Sequence, residues 1–143
     1  MVSSIIRNQE EIAKFAIGVD LGGTKIGAAL VNNHGDIKEY IKNPTHAQQG
    51  KDVVIDRIKE TINQLINQSG VNVDNISGIG IGVPGQLDAR IGIVYSAPNL
   101  PGWKEVPICR IIKESFQMPV TLENDANAAA WGEKIFGVGQ GIR

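Results

Sequence analysis

Apolar and polar positions follow several rhythms along this chain. Residues 15–21 and 25–31 are apolar runs of small and β-branched side chains, separated by Gly22-Gly23-Thr24. Runs bounded by glycine in this way predict two buried strands meeting in a hairpin. Asn32-Asn33-His34-Gly35 supplies the next turn. Residues 36–42 alternate, with Ile37, Glu39 and Ile41 against Lys38, Tyr40 and Lys42. That predicts a third strand near a sheet edge, stopped at Pro44. Over residues 48–69 the period lengthens. Val54, Ile55, Ile58, Ile62, Leu65 and Ile66 make one stripe of an amphipathic helix, and Gly70 stands where a C-terminal cap belongs. Residues 76–83 are small and apolar throughout, which suits a central strand covered on both faces.

The remaining elements are shorter. Residues 86–94 predict a small extended hairpin, and residues 106–116 a second helix with Ile108, Ile111, Ile112 and Phe116 inward. Residues 120–122 predict a fifth short strand, and the alanines that follow favour a third helix. Residues 1–14 are expected to be a lead-in segment. Residues 137–143, rich in glycine, are expected to be a linker to a missing second lobe.

Composition narrows the classes. A chain of 143 residues, 42% hydrophobic, suits one domain with a real core. A net charge of −1 leaves no electrostatic footprint for nucleic acid or an acidic membrane. Cys109 is the only cysteine, which rules out an intramolecular disulfide and fits a reducing, cytoplasmic setting. No apolar run approaches the about 20 residues that cross a bilayer, and residues 1–11 are too polar for a secretory leader.

Candidate chemistry gathers at the first turn. Gly22 and Gly23 lack a Cβ, so the backbone there is free to take positive φ and to let an anion come close. The N–H groups of Gly22, Gly23, Thr24 and Lys25 are expected to converge as an anion nest. Thr24 adds a hydroxyl and Lys25 a positive charge, and Asp20 is placed to hold a hydrated Mg²⁺ through water. An ordinary hairpin turn is the plainer alternative. The turn is not a Walker loop, because a strand follows it rather than a helix.

Three further places stand out. Gly80-Ile81-Gly82-Val83-Pro84-Gly85 matches Gly-x-Gly-x-x-Gly, but no helix opens after it, so the dinucleotide reading is rejected. Its glycines are expected to bring backbone close to a ligand or a neighbouring strand. Asn99 lies in a loop stiffened by Pro98 and Pro101, where its carboxamide suits paired sugar hydroxyls or an Asx turn. Trp103 reads as a packing residue. Asp125, at a strand end and a helix start, is either a catalytic base or, like Asn124, an N-cap.

Together these pieces resemble the ROK family of repressors and sugar kinases, and within it the bacterial-type glucokinases. The segments carrying the resemblance are Asp20-Leu21-Gly22-Gly23-Thr24-Lys25, Gly80 to Gly85, Asn99-Leu100-Pro101-Gly102-Trp103, and Glu123-Asn124-Asp125 with the alanines after it. The resemblance implies an α/β, ribonuclease-H-like (actin-like ATPase) lobe over residues 15–136, with a mixed five-stranded sheet and helices on both faces. It implies Asp125 as the base at the sugar 6-hydroxyl. Asn99, Asn124 and the Gly85 region would contact the hexose. Asp20, Gly22, Gly23, Thr24 and Lys25 would face ATP and Mg²⁺. Glucose is the expected substrate, with other hexoses, a polyphosphate donor or a sugar-sensing regulator as alternatives. The family's zinc site and further sugar contacts are expected only in the missing lobe. The chain alone is therefore expected to be inactive and to self-associate, and the full-length protein to be a homo-oligomer.

Overall fold

The computed structural model describes residues 14–124. Among the described residues, seven strands and two α-helices run in the order β1 (Phe15–Leu21), β2 (Lys25–Asn32), β3 (Ile37–Pro44), α1 (Lys51–Ser69), β4 (Ile76–Gly82), β5 (Gln86–Asp88), β6 (Ile93–Ser96), α2 (Ile108–Phe116) and β7 (Val120–Glu123). Five strands form one sheet in the order β3-β2-β1-β4-β7, and β5 pairs with β6 as a separate ribbon. β1 runs antiparallel to β2 and parallel to β4; β2 with β3 is antiparallel and β4 with β7 parallel. This mixed α/β sheet has the ribonuclease-H-like order that the motifs implied.

Register explains the layering. Ile17 lies beside Leu30 and Ile79, and Val19 beside Ala28 and Ile81. These buried side chains share one cluster with Val54, Ile58, Ile62 and Leu65 of α1 and Ile108 and Ile112 of α2. Both described helices therefore cover the same face. The crossovers β3-α1-β4 and β4-α2-β7 step the same way across the sheet, and right-handed connections then put their helices on one side. The opposite face carries small residues, Ala16, Gly18, Gly27, Ala29 and Gly80 among them. The helix expected over that face falls beyond Asn124, outside the described residues, as do the lead-in residues 1–13 and the tail.

Several boundaries differ from the sequence expectation. α1 starts at Lys51 because Gly50 sits at φ 101°, separating it from a 3₁₀ turn at Ala47–Gln49. α2 starts at Ile108, not Val106. Val106 instead pairs with Val94 of β6, with N···O distances of 2.8 and 2.9 Å. β3 continues through Pro44, whose missing N–H is tolerated on an edge strand. Ile37 is 55% exposed, so the alternation marks an edge but does not bury this isoleucine.

Side chains tie the layers together. Asn43 of β3 donates to Thr61 Oγ1 and to Gln64 Oε1 of α1, both at 2.9 Å. α1 ends on Gly70 in the left-handed conformation, its N–H bonded to the Ile66 carbonyl at 3.2 Å, as anticipated. Cys109 packs as a half-buried hydrophobe against Gly92, and burial pushes its thiol up to about 11. No described helix is long and apolar enough to cross a membrane.

Ile58 is fully buried between α1 and the sheet. Ile58→Ala is expected to lower unfolding free energy by about 2–5 kcal/mol, read from chemical denaturation followed by circular dichroism.

Candidate functional site

The parallel strands β1, β4 and β7 end together. Their registers set Asp20 beside Gly82 and Gly82 beside Glu123, and on the other side Asp20 faces Gly27, which faces Lys42. One row across the sheet thus reads Lys42, Gly27, Asp20, Gly82, Glu123. Open α/β sheets bind ligands outside the carboxyl ends of their parallel strands, where this row lies. Asp20 has glycine on both sides, so its exposed carboxylate stands clear of neighbouring strand side chains. Partial burial raises its pKa above the ordinary carboxylate value, and the positive charge of Lys42 opposes the rise.

The turn after β1 is built differently from the expected nest. Neither Gly22 nor Gly23 takes positive φ; among the described residues the glycines that do are Gly35, Gly50, Gly70, Gly92 and Gly102. Gly22 N–H donates to the Lys25 carbonyl at 3.0 Å and closes the hairpin, so it is not available to an anion. Gly22's own carbonyl accepts from the Thr45 hydroxyl at 2.8 Å, and Thr24's carbonyl accepts from the Thr45 N–H at 2.9 Å. The N–H groups of Gly23 and Thr24 donate to no acceptor among the described residues. They are the nest's free donors, beside the exposed hydroxyl of Thr24 and the exposed Lys25.

Gly23 is glycine for a reason far away in sequence. A Cβ there would stand 2.6 Å from Asn99 Cβ and 3.0 Å from the Asn99 carbonyl oxygen. The turn and the 97–103 loop are therefore in contact. That loop is folded by bonds from Leu100 N–H to Ala97 and from Trp103 N–H to Leu100, at 3.1 and 3.2 Å. Buried Leu100 and Trp103 anchor it, as the packing reading of Trp103 expected.

Asn99 does not make the Asx turn that was its alternative. Asn32, Asn72 and Asp88 each fold a side-chain oxygen back onto nearby backbone N–H groups at 2.9–3.0 Å. The Asn99 carboxamide bonds nothing among the described residues. It lines an open cavity of about 390 Å³ together with Gly23, Thr24, Gln48, Pro98 and Pro101. Residues with free N–H donors and a free carboxamide thus line one space.

The other candidates are placed less centrally. A Cβ on Gly85 would collide with the Ser96 carbonyl, so this glycine admits the β5–β6 ribbon; Gly85 does not line the cavity. Asn124 is exposed at the end of β7. Asp125 lies outside the described residues. Thr45 and Gln48 escaped sequence reading. A threonine after Pro44 carries no local sign that its hydroxyl is buried, and Gln48 was absorbed into the amphipathic helix.

The ROK family model matches residues 16–143. The chain is 42% identical to a glucokinase of Thermotoga maritima over 125 residues, covering 87% of this chain and 38% of that one. It is 37% identical to a xylose repressor of Caldicellulosiruptor bescii, covering 85% of this chain and 30% of that one. Among solved structures, a ROK family glucokinase from Streptomyces griseus in complex with glucose and AMPPNP superposes with a TM-score of 0.70. It is 37% identical, with 89% of this chain and 38% of that chain covered. The chain thus spans 38% of the length of the T. maritima glucokinase.

Two substitutions test the geometry. Gly23→Ala is expected to displace Asn99 and to cost about 1–3 kcal/mol, read by denaturation and by movement of the Asn99 side-chain amide resonances. Asp20→Asn is expected to raise the denaturation midpoint at neutral pH. A carboxylate whose folded pKa is raised contributes stability that is complete below its unfolded pKa and lost as pH rises through the folded one. The stability difference between the variant and the natural chain should therefore shrink in acid.

Proposed function

The chain belongs to the ROK family, and from that premise we propose that it is the N-terminal lobe of an ATP-dependent hexose kinase, with glucose as substrate. The observation that carries this reading is the shared cavity. The free N–H groups of Gly23 and Thr24 suit phosphate oxygens, and the free carboxamide of Asn99 suits sugar hydroxyls. The glucose complex of the S. griseus relative supports the choice of sugar.

In this reading each residue positions or neutralises. Gly23, Thr24 and Lys25 meet the phosphates of ATP, with Gly22 closing the turn behind them. Asn99 and Asn124 orient the hexose, and the Gly85 region shapes the wall behind Asn99. Asp125 accepts the proton of the sugar 6-hydroxyl. Phosphoryl transfer passes through a loose transition state, so alignment and charge neutralisation supply most of the catalysis. The metal requirement also fits. The described residues hold no cluster of three or more metal-ligating side chains, but Asp20 stands clear with one free carboxylate. Mg²⁺ commonly keeps several waters and takes one or two carboxylates plus substrate phosphates. When bound, it would neutralise phosphate charge. Zinc and the remaining sugar contacts belong, in this reading, to a second lobe joined through residues 137–143, and the full-length protein is a homo-oligomer.

A second reading has its own support. Similarity to a xylose repressor makes a sugar-sensing regulator the alternative. The retained Asp20, Lys25 and Asp125 favour the kinase.

ADP release from the full-length protein, with ATP, Mg²⁺ and a panel of hexoses, separates the two. Turnover on glucose is expected, falling about 10²–10⁴-fold in Asp125→Asn. Sugar binding without turnover would favour the regulator. The 143-residue chain alone is expected to release no ADP.

A further inference from the structure

Among the described residues the fully buried polar side chains are Thr45 and Thr61. Thr61 joins α1 to β3 by accepting from Asn43, and its hydroxyl donates to the Arg57 carbonyl one turn back in α1. Thr45 has a different set of partners. Its hydroxyl donates to the Gly22 carbonyl at 2.8 Å and its N–H to the Thr24 carbonyl at 2.9 Å. Both carbonyls belong to the turn, on either side of Gly23.

A trans peptide unit is planar, with its C=O and N–H pointing opposite ways. The Gly22 carbonyl and the Gly23 N–H belong to one such unit. Drawing the carbonyl inward to a buried hydroxyl aims the Gly23 N–H outward, toward the cavity that Gly23 lines. The same logic couples the Thr24 carbonyl to the Lys25 N–H. Without Cβ atoms at Gly22 and Gly23, sterics alone would not hold this orientation. The next residue, His46, takes the left-handed conformation at φ 57°, and the chain then turns so that Gln48 reaches the cavity rim.

We propose that Thr45 is the positioning residue of the anion turn: its hydroxyl fixes the Gly22–Gly23 peptide so that the Gly23 N–H is held toward a phosphate before any ligand arrives. The inference rests on the kinase reading for its ligand class, but the orientation it asserts exists without ligand.

The test uses ¹⁵N NMR of the 143-residue chain, first alone and then with sodium tripolyphosphate. In the unliganded natural chain the Gly23 N–H order parameter is expected near the rigid-backbone value of about 0.85; a value below about 0.6 would overturn the proposal outright. Thr45→Val removes the hydroxyl at nearly constant shape, with Thr45→Ala as the smaller replacement should valine not fold. Thr45→Ser keeps the hydroxyl. Loss of Gly23 order is expected in Val or Ala and not in Ser. Equal loss in Ser would assign the effect to packing and reject the hydroxyl's role. Tripolyphosphate affinity is expected to fall about tenfold in Val and to stay within about twofold in Ser, because the change leaves a buried carbonyl unpaired. Unchanged affinity in a folded Val variant would contradict the inference. Failure of the natural chain to bind tripolyphosphate, with Gly23 order still dependent on the hydroxyl, would instead sink the kinase reading alone.

Discussion

β1 is hydrogen-bonded along both edges, antiparallel to β2 and parallel to β4, and the candidate site depends on that double pairing. A strand held on both sides cannot slip by one residue without turning Ile17, Val19 and Leu21 out of the core. All three are fully buried, so the register is fixed by hydrophobic burial. Asp20, one residue out of phase with them, is held on the opposite face at the strand's end. The cost of placing a carboxylate on a central strand is moderated by glycine at both lateral positions and by Lys42 further along the row. Core packing on one face therefore determines where charge stands on the other.

The second constraint is the contact between Gly23 and Asn99. Two segments distant in sequence, a hairpin turn and a proline-bounded loop, meet so closely that a methyl group would not fit between them. Each is held from behind by buried groups: the turn by Thr45, the loop by Leu100 and Trp103. Their free donors and acceptors are therefore presented in a fixed relation. A pair of flexible loops bearing the same residues would lose that relation to conformational entropy.

Much of this was legible in the residues. Period and glycine punctuation located β1, β2, β4 and the stripe of α1, because burial on one face or both leaves a local pattern. The misplaced boundaries have separate causes. Val106 continues the apolar rhythm of α2 but pairs with Val94, a bond between segments that no local pattern records. Gly50 delays the start of α1 by its own backbone angle, inside a stretch whose polarity still reads as helical. At the site, sequence reading named Asp20, Gly23, Thr24 and Asn99, but one of its two reasons for Gly23, positive φ, does not hold. A glycine pair suggests positive φ, whereas this glycine answers to a side chain from another element. Thr45 was invisible for the same reason. Its partners are two carbonyls, and carbonyls are the same at every residue.

The proposed phosphoryl transfer would draw on these constraints. Such chemistry rewards donors that are already aimed, because reorienting peptide dipoles during reaction costs free energy that a preset arrangement does not. The described wall has its turn bonded from within and its loop packed against the turn. Glycine supplies closeness at Gly23, not looseness, since the residue lies outside the left-handed region and is confined by Asn99. The cavity itself is open to solvent. Packing thus lets the β1 turn and the Asn99 loop hold their positions relative to one another.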